Sequence, residues 1–317
     1  MYKQLTSEHR YYIYLERQKG STQKMIAQSI GVSESTVSRE LRRNGGRGGS
    51  YNFIKAHERA MSRRHRSPGN RTKPPELLWR VRRLILDEQW SPCQISGYLR
   101  EKQGIGISHE TIYRMIRADG SGTLAAACRH RMKYRRHASH SHQTRATNIR
   151  GRVSIHERPK EADGKRFGDW EMDLIVDARQ NAILTLTERS TNFLLMTRLR
   201  KGKKAVEVAR QAYRLMMPYR GEQMHTITTD NGSEFACHQW IAERLGVQVY
   251  FTDSYASWQK GAVENINKLV RQYIPKGTDI SKVTDKRIMA IQAKINARPR
   301  KKLNFNTPKH EFYKHYI

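Results

Sequence analysis

Through the first third of the chain, apolar positions recur at helical spacing. Beyond residue 167 they give way to short apolar or alternating runs. From Thr22 to Arg43 the pattern predicts two short helices joined by a tight turn, Gln23 to Val32 and then Ser33 to Leu41. Ala27 is small where the two helices must touch, and Gly31, four positions on, can take the left-handed backbone of the turn. Val37, six further, plugs the second helix into the core, and Ser33 is placed to cap it. A second unit of this kind begins at Ser91-Pro92-Cys93-Gln94, which has the composition of a capping box with proline at the first helical position. Ile95 and Leu99 give it an apolar stripe, Gly104 and Gly106 break it, and Ser108 caps a further helix, His109 to Arg117.

The later runs have strand length. Asp169–Val176, Ala182–Thr187 and Phe193–Leu199 predict three adjacent strands, followed by a helix over 204–217 with Val206, Ala209, Ala212, Tyr213 and Met216 on one face. Met224–Thr229 returns to strand and is closed by the turn Asp230-Asn231-Gly232; a helix, a strand over Val247–Phe251 and a long helix from Trp258 complete the pattern. The chain therefore reads as multidomain, with N-terminal all-α helix-turn-helix units followed by an α/β domain built on a mixed five-stranded sheet flanked by helices. Composition shifts place the divisions: a helix-turn-helix domain over 1–48, a linker over 49–71 rich in Gly, Arg, Ser and Pro, a second helix-turn-helix domain over 72–120, a basic linker over 121–160, and the α/β domain with its C-terminal helices over 161–317.

Charge narrows the partners. Sixty Lys and Arg face 29 Asp and Glu, a formal net charge of +31 that points to a polyanion, with nucleic acid as the first candidate. Residues 1–150 hold 30 of the basic residues but only 11 of the acidic ones, so the front half is the more basic, DNA-gripping half. No apolar run approaches the roughly 20 residues of a spanning helix, and Met1-Tyr2-Lys3-Gln4 lacks the apolar core of a signal peptide. No membrane role and a cytoplasmic, nucleoid-associated location are expected. Cys93, Cys128 and Cys237 lie too far apart for a zinc pair and read as reduced packing thiols. Four histidines, His130, His137, His140 and His142, are interleaved with Arg131, Lys133, Arg135 and Arg136, which favours a basic linker touching phosphates over a metal tract.

The exposed face of the first recognition helix presents Ser35, Thr36, Ser38 and Arg39, with Arg42 and Arg43 beyond, short hydrogen-bonding groups and arginines suited to a major groove. An ordinary helical hairpin would account for Ala27, Gly31 and Val37 but not for the arginine cluster. In the second unit His109, Thr111, Tyr113 and Arg114 occupy the corresponding face.

Three acids carry the candidate chemistry. Asp173 stands mid-strand among apolar residues, where a carboxylate is costly unless a cation compensates it. Asp230 ends a different strand and Glu264 lies in the first turns of the long helix, so all three can converge at one sheet edge. Oxygen-only ligands suit Mg²⁺, or Mn²⁺ in its place, and two such ions about 4 Å apart activate the attacking oxygen and stabilise the leaving one in displacement at phosphorus. Taken singly, Asp173 reads as a salt-bridge partner, Asp230 as a turn former and Glu264 as a solvated helix residue. Their combination argues against those separate roles.

Gly168-Asp169-Trp170-Glu171-Met172-Asp173, Thr229-Asp230-Asn231-Gly232-Ser233-Glu234-Phe235 and the run from Tyr255 to Asn267 resemble the DDE transposases and integrases with an RNase H-like core. With 33 residues between Asp230 and Glu264, they resemble in particular the IS-thirty family of bacterial insertion-sequence transposases. Ile107-Ser108-His109-Glu110-Thr111-Ile112-Tyr113 and Arg298-Pro299-Arg300-Lys301 extend that resemblance over nearly the whole chain, in order. Met172 departs from a glycine often found before the first acid, and Val263 from a commonly polar position; neither touches the three ligands.

The resemblance implies a Mg²⁺-dependent enzyme that binds the terminal inverted repeats of double-stranded transposon DNA, cleaves the ends to expose a 3′-hydroxyl and joins it to target DNA, working as a homodimer or a larger synaptic assembly. Asp173, Asp230 and Glu264 are the expected catalytic and metal-binding residues. Arg271, two helical turns beyond Glu264, shares its face and is a candidate phosphate contact, as are Lys260 and Lys268. Trp258 stacks on an unpaired base or packs in the core. Asp169 and Glu171 read as surface ion pairs sooner than as helpers of a metal. A regulator with a silent catalytic fold and a nuclease that cuts without joining remain as other classes.

Overall fold

The computed structural model describes residues 4–66, 73–132, 149–254 and 256–316, and the chain divides into two compact units, Met1–Leu78 and Trp79–Ile317. The greater part of the basic tract, residues 133–148, lies outside the described residues together with its three histidines, His137, His140 and His142.

The first unit holds α1 (Ser7–Gln18), α2 (Gln23–Ser29), α3 (Glu34–Asn44) and α4 (Phe53–Arg66). Ile13, Ile26, Ala27, Val37, Tyr51 and Ala56 form its core, with Gly31 at φ 65° making the turn between α2 and α3 as its position requires. Ser33 precedes α3 with extended backbone, but its hydroxyl bonds to Ser35 and Thr36 at 3.0 and 2.9 Å and caps no amide, because neighbouring hydroxyls compete for it. Arg10 donates to Glu40 at 2.8 Å inside the unit, and Glu40 also accepts from Asn44 and Tyr51, so this buried acid is fully partnered.

Helix α5 spans Pro75–Leu86. In the second unit α6 (Pro92–Gln103) opens with both bonds of the expected capping box, between Ser91 and Gln94. It ends on Gly104 in the left-handed conformation and is followed by α7 (His109–Arg117), capped by Ser108, and by α8 (Thr123–Ala127). Gly97 of α6 lies directly against the Phe305 ring, since a Cβ built there would stand 1.9 Å from its tip.

The sheet has six strands, not five: β1 (Val153–Ser154), β2 (Asp169–Val176), β3 (Ala182–Glu188), β4 (Leu194–Leu199), β5 (Thr226–Thr229) and β6 (Gln248–Phe251), in the order β1-β6-β5-β2-β3-β4. The added strand falls in the segment read as linker; it has only two residues, too few for an alternating pattern, and exists by pairing parallel to β6. β2, β3 and β4 are antiparallel neighbours, while β2, β5 and β6 run parallel. This is the RNase H-like arrangement with helices on both faces.

α9 (Ala205–Met216), α10 (His238–Leu245) and α13 (Pro308–Tyr313) supply residues to one core with Trp170, Met172, Leu184 and Leu186. α11 (Gly261–Tyr273) and α12 (Asp285–Asn296) cover the other face over Ile175, Ile183, Leu194 and Met196. Alternation along β2 thus sends Trp170 and Met172 one way and Glu171, Asp173 and Ile175 toward α11. Among the described residues no helix is long and apolar enough to cross a membrane.

Candidate active site

β2 and β5 are parallel with Asp169 opposite Thr226 and Glu171 opposite Thr228, so continuing the register by two residues sets Asp230 level with Asp173. The side chains meet through a third residue. Lys260 Nζ lies 3.2 Å from Asp173 Oδ1 and 2.8 Å from Asp230 Oδ2. Asp173 Oδ2 accepts from Asn267 Nδ2 at 2.7 Å, and Asp230 Oδ1 accepts from the Gly232 amide at 3.1 Å, so Asp230 shapes its turn and faces the site at once.

Burial pushes the Asp173 carboxyl above the usual carboxylate range; Lys260 acts against that rise and Asp230 adds to it. For the Lys260 ammonium, burial acts against the charge, but Asp173 and Asp230 outweigh it and hold its pKa above the ordinary value. Two carboxylates and one buried cation thus form a tight charge triad at the end of the parallel strands.

Glu264 stands on the first turns of α11, four residues after Lys260 and three before Asn267. The three-residue spacing places it on the same face of α11 as Asn267, which bonds to Asp173. Its carboxylate is turned to Lys268, 2.5 Å away, and both side chains are well exposed. Accordingly no three acid, histidine or cysteine side chains gather closely enough to hold a metal among the described residues. Asp173 and Asp230 are brought together through Lys260, whereas the Glu264 carboxylate on α11 is engaged by Lys268.

The donor set nonetheless fits a hard divalent cation. Asp173 and Asp230 already share one positive charge, and Asn267 Oδ1 is buried beside them with no hydrogen-bond partner among the described residues.

Asp169 and Glu171 depart from the reading as surface pairs. They are ion-paired, Asp169 to Arg166 at 2.8 Å and Glu171 to Arg189 at 2.9 Å, but both are buried, because β2 lies inside the sheet and is covered on both faces. Glu171 also accepts from the Val263 amide at 2.8 Å, which ties the first turn of α11 to β2. The tie from Glu171 to α11, Asn267 and the placement of Lys260 were not read from the sequence. The signal for Asn267 was its position three residues after Glu264, and for Glu171 its shared strand face with Asp173.

Trp258 is 75% exposed, which leaves core packing without support. Lys260, read as a phosphate contact, is buried within the charge triad, and Arg271 is half-buried with one guanidinium nitrogen on the Val176 carbonyl at 3.0 Å. On α3, Ser35, Ser38, Arg39, Arg42 and Arg43 are exposed and Thr36 is half-buried. On α7, His109 and Arg114 are exposed, Thr111 shares a 2.9 Å hydroxyl contact with Ser108, and Tyr113 turns partly inward with Arg117 over its ring at 5.8 Å. All three cysteines are free; Cys93 is exposed, so only Cys128 and Cys237 answer to packing thiols.

Residues 1–44 match the helix-turn-helix domain family. Along 98% of its length the chain is 41% identical to the transposase for insertion sequence element IS4351 of Bacteroides fragilis, covering 96% of that protein. It is 34% identical to transposase InsI for insertion sequence element IS30A of Escherichia coli, over 90% of this chain and 76% of that one. The chain belongs to the IS30 family of insertion-sequence transposases. A further relative, the transposase for insertion sequence element IS1086 of Cupriavidus metallidurans, is 36% identical over 97% of this chain and 93% of its own. Among solved structures, the catalytic core domain of BIV integrase aligns with 47% of this IS30-family chain and 95% of its own length, at 16% identity and a TM-score of 0.37.

Proposed function

We propose that the chain moves its insertion sequence by cutting element ends and joining them to target DNA, through phosphodiester chemistry supported by Mg²⁺ at Asp173, Asp230 and Glu264. The observation that carries this reading is the meeting of Asp173 and Asp230, from two parallel strands, on one cation. Two acids that close repel unless a positive charge lies between them, and a substrate phosphodiester adds further negative charge at the same place. Bound there, divalent ions supply Lewis-acid stabilisation and activation of water or a 3′-hydroxyl.

The chain's own residues do the rest. Asn267 fixes the Asp173 carboxylate by its 2.7 Å hydrogen bond, and the Gly232 amide fixes Asp230, so the ligands are oriented before substrate arrives. Glu264 completes the ligand set from the helix that Glu171 holds against β2. Lys260 and Lys268 compensate the acids in the absence of metal and become available to phosphate oxygens once they are released. The exposed faces of α3 and α7 bind the double-stranded terminal inverted repeats, with Arg39, Arg42, Arg43, His109 and Arg114 in contact with DNA; Trp258 stacks on an unpaired base near the cut. Because an element has two ends, the working form is an assembly of at least two copies.

Incubation of the full chain with labelled terminal-repeat duplex, target DNA and Mg²⁺ tests the proposal. Joined products support it, cleavage without joining supports a nuclease, and retardation alone supports a regulator. Asp230→Asn is expected to lower strand cutting by at least about 1,000-fold, in the range of losing a principal charge-stabilising group, while end-DNA affinity stays within about twofold. Loss of binding together with chemistry would overturn the role given to Asp230.

A further inference from the structure

Away from the acids, the second unit contains a cavity of 470 Å³ whose wall includes Arg129, Arg298, Arg300, Lys301 and Lys302 and no Asp or Glu. It is bordered by the start of α6, by α11 through Asn265 and Gln272, and by the turn that follows α12. Arg298 is 2% exposed, held by Gln272 at 3.1 Å and by the Tyr273 hydroxyl at 2.5 Å. Arg300 donates to the Ile295 carbonyl at 3.3 Å. Arg129 and Arg300 are half-buried beside Arg298, and like-charged guanidiniums drawn partly out of water are costly without a counter-ion. Burial, with Arg298 and Arg129 beside it, lowers the Arg300 pKa to about 10, and burial followed by Arg298 lowers that of Arg129.

The unpaired atoms point the same way. Among the described residues, Nε of Arg129, Arg298 and Arg300 and the Trp90 indole nitrogen are buried donors without an acceptor, and Gln89 Oε1 is the one buried acceptor beside them left unpaired. The missing occupant is therefore acceptor-rich and anionic. The chain that continues from Met132 does not supply it, since residues 133–148 contain no Asp or Glu. Guanidiniums present paired donors that match phosphate oxygens, and the volume lies within the roughly 300–1,000 Å³ range of cavities that take a nucleotide-sized group.

We propose that this cavity binds a phosphodiester group of the DNA on which the chain acts, with Arg298, Arg300 and Arg129 as the anion site and room for the attached nucleotide between Trp90 and Tyr113. The assignment rests on the reading of the chain as an end-binding transposase. Its consequence is geometric: Asn265, which lines the cavity, adjoins Glu264 on α11, so a strand anchored there is held at a fixed distance from Asp173 and Asp230.

The test uses the full chain carrying Asp230→Asn, so that DNA is bound and not cut, and terminal-repeat duplexes bearing one neutral methylphosphonate at each position in turn. One or two positions are expected to weaken binding about tenfold. Arg300→Gln should weaken binding to unmodified duplex by a similar factor and lower the slope of log K against log salt by about 1. At those same positions the methylphosphonate should cost the Arg300→Gln protein nothing further, and Arg300→Lys should recover part of the affinity. Thermal unfolding no earlier than the parent's shows that the variant folds, as relief of repulsion between guanidiniums requires.

Additive losses at every position would overturn the assignment, as would saturable stabilisation by inorganic phosphate that Arg300→Gln abolishes while DNA affinity is unchanged, which would mark a free-anion site. If the parent does not bind terminal-repeat duplex at all, the functional reading itself fails; normal binding with additive losses removes only the cavity's role.

Discussion

Replacing Lys260 by methionine keeps the side-chain volume and removes the cation that joins Asp173 to Asp230. At an effective dielectric of about 20, an ammonium about 3 Å from a carboxylate interacts with it by roughly 5 kcal/mol. Desolvation offsets much of that, and losing one partner of a fully buried pair costs about 3–5 kcal/mol. Here the Asp173 and Asp230 side chains keep 25% and 43% of their exposure, so water takes up part of the released charge. The expected loss in EDTA is about 2 kcal/mol.

Magnesium should return it. A cation present at about 100 times its dissociation constant stabilises the folded state by roughly 2.7 kcal/mol, and in the variant no ammonium has to be displaced first. Lys260→Met should therefore gain at least about 1 kcal/mol more from Mg²⁺ than the parent. All five tryptophans lie in the Trp79–Ile317 unit, so urea unfolding followed by tryptophan fluorescence, with EDTA and with MgCl₂, reads this unit directly. Equal stabilities of variant and parent in EDTA, or equal gains from Mg²⁺, would refute the view that Lys260 stands in for a divalent ion.

Gly97→Ala should destabilise the same unit by about 1–3 kcal/mol, because its methyl would overlap the Phe305 ring and the ring must shift; unchanged tryptophan unfolding would show that the contact yields freely. In the first unit, burial raises the Glu40 carboxyl, but Arg10, Asn44 and Tyr51 prevail and hold it below the ordinary range. The folded value being depressed, its contribution is present above the unfolded pKa near 4.5 and is lost as pH falls through the folded value. Hydrogen exchange of the α1 and α3 amides, compared between parent and Glu40→Gln at each pH, should show an advantage for the parent at pH 6 that shrinks below pH about 4. A gap independent of pH would count against the charged pair.

Much of this protein is written in its sequence. Ala27, Gly31 and Val37 specify the first helix-turn-helix because their spacing acts within a few residues, and β2 to β6 announce themselves as short apolar or alternating runs. The meeting of Asp173 and Asp230 was legible for the same reason, since mid-strand and strand-end positions are local contexts that a motif records. Tertiary structure decided what depends on residues far apart. β1 exists only through β6, Glu171 becomes a buried tie because β5 and α11 close over β2, and Lys260 enters the acidic site because a helix from 87 residues downstream brings it to Asp173. Periodicity reports which face a side chain occupies. Which charge meets it there is fixed by packing, and three arginines facing an acid-free cavity are the same lesson with the sign reversed.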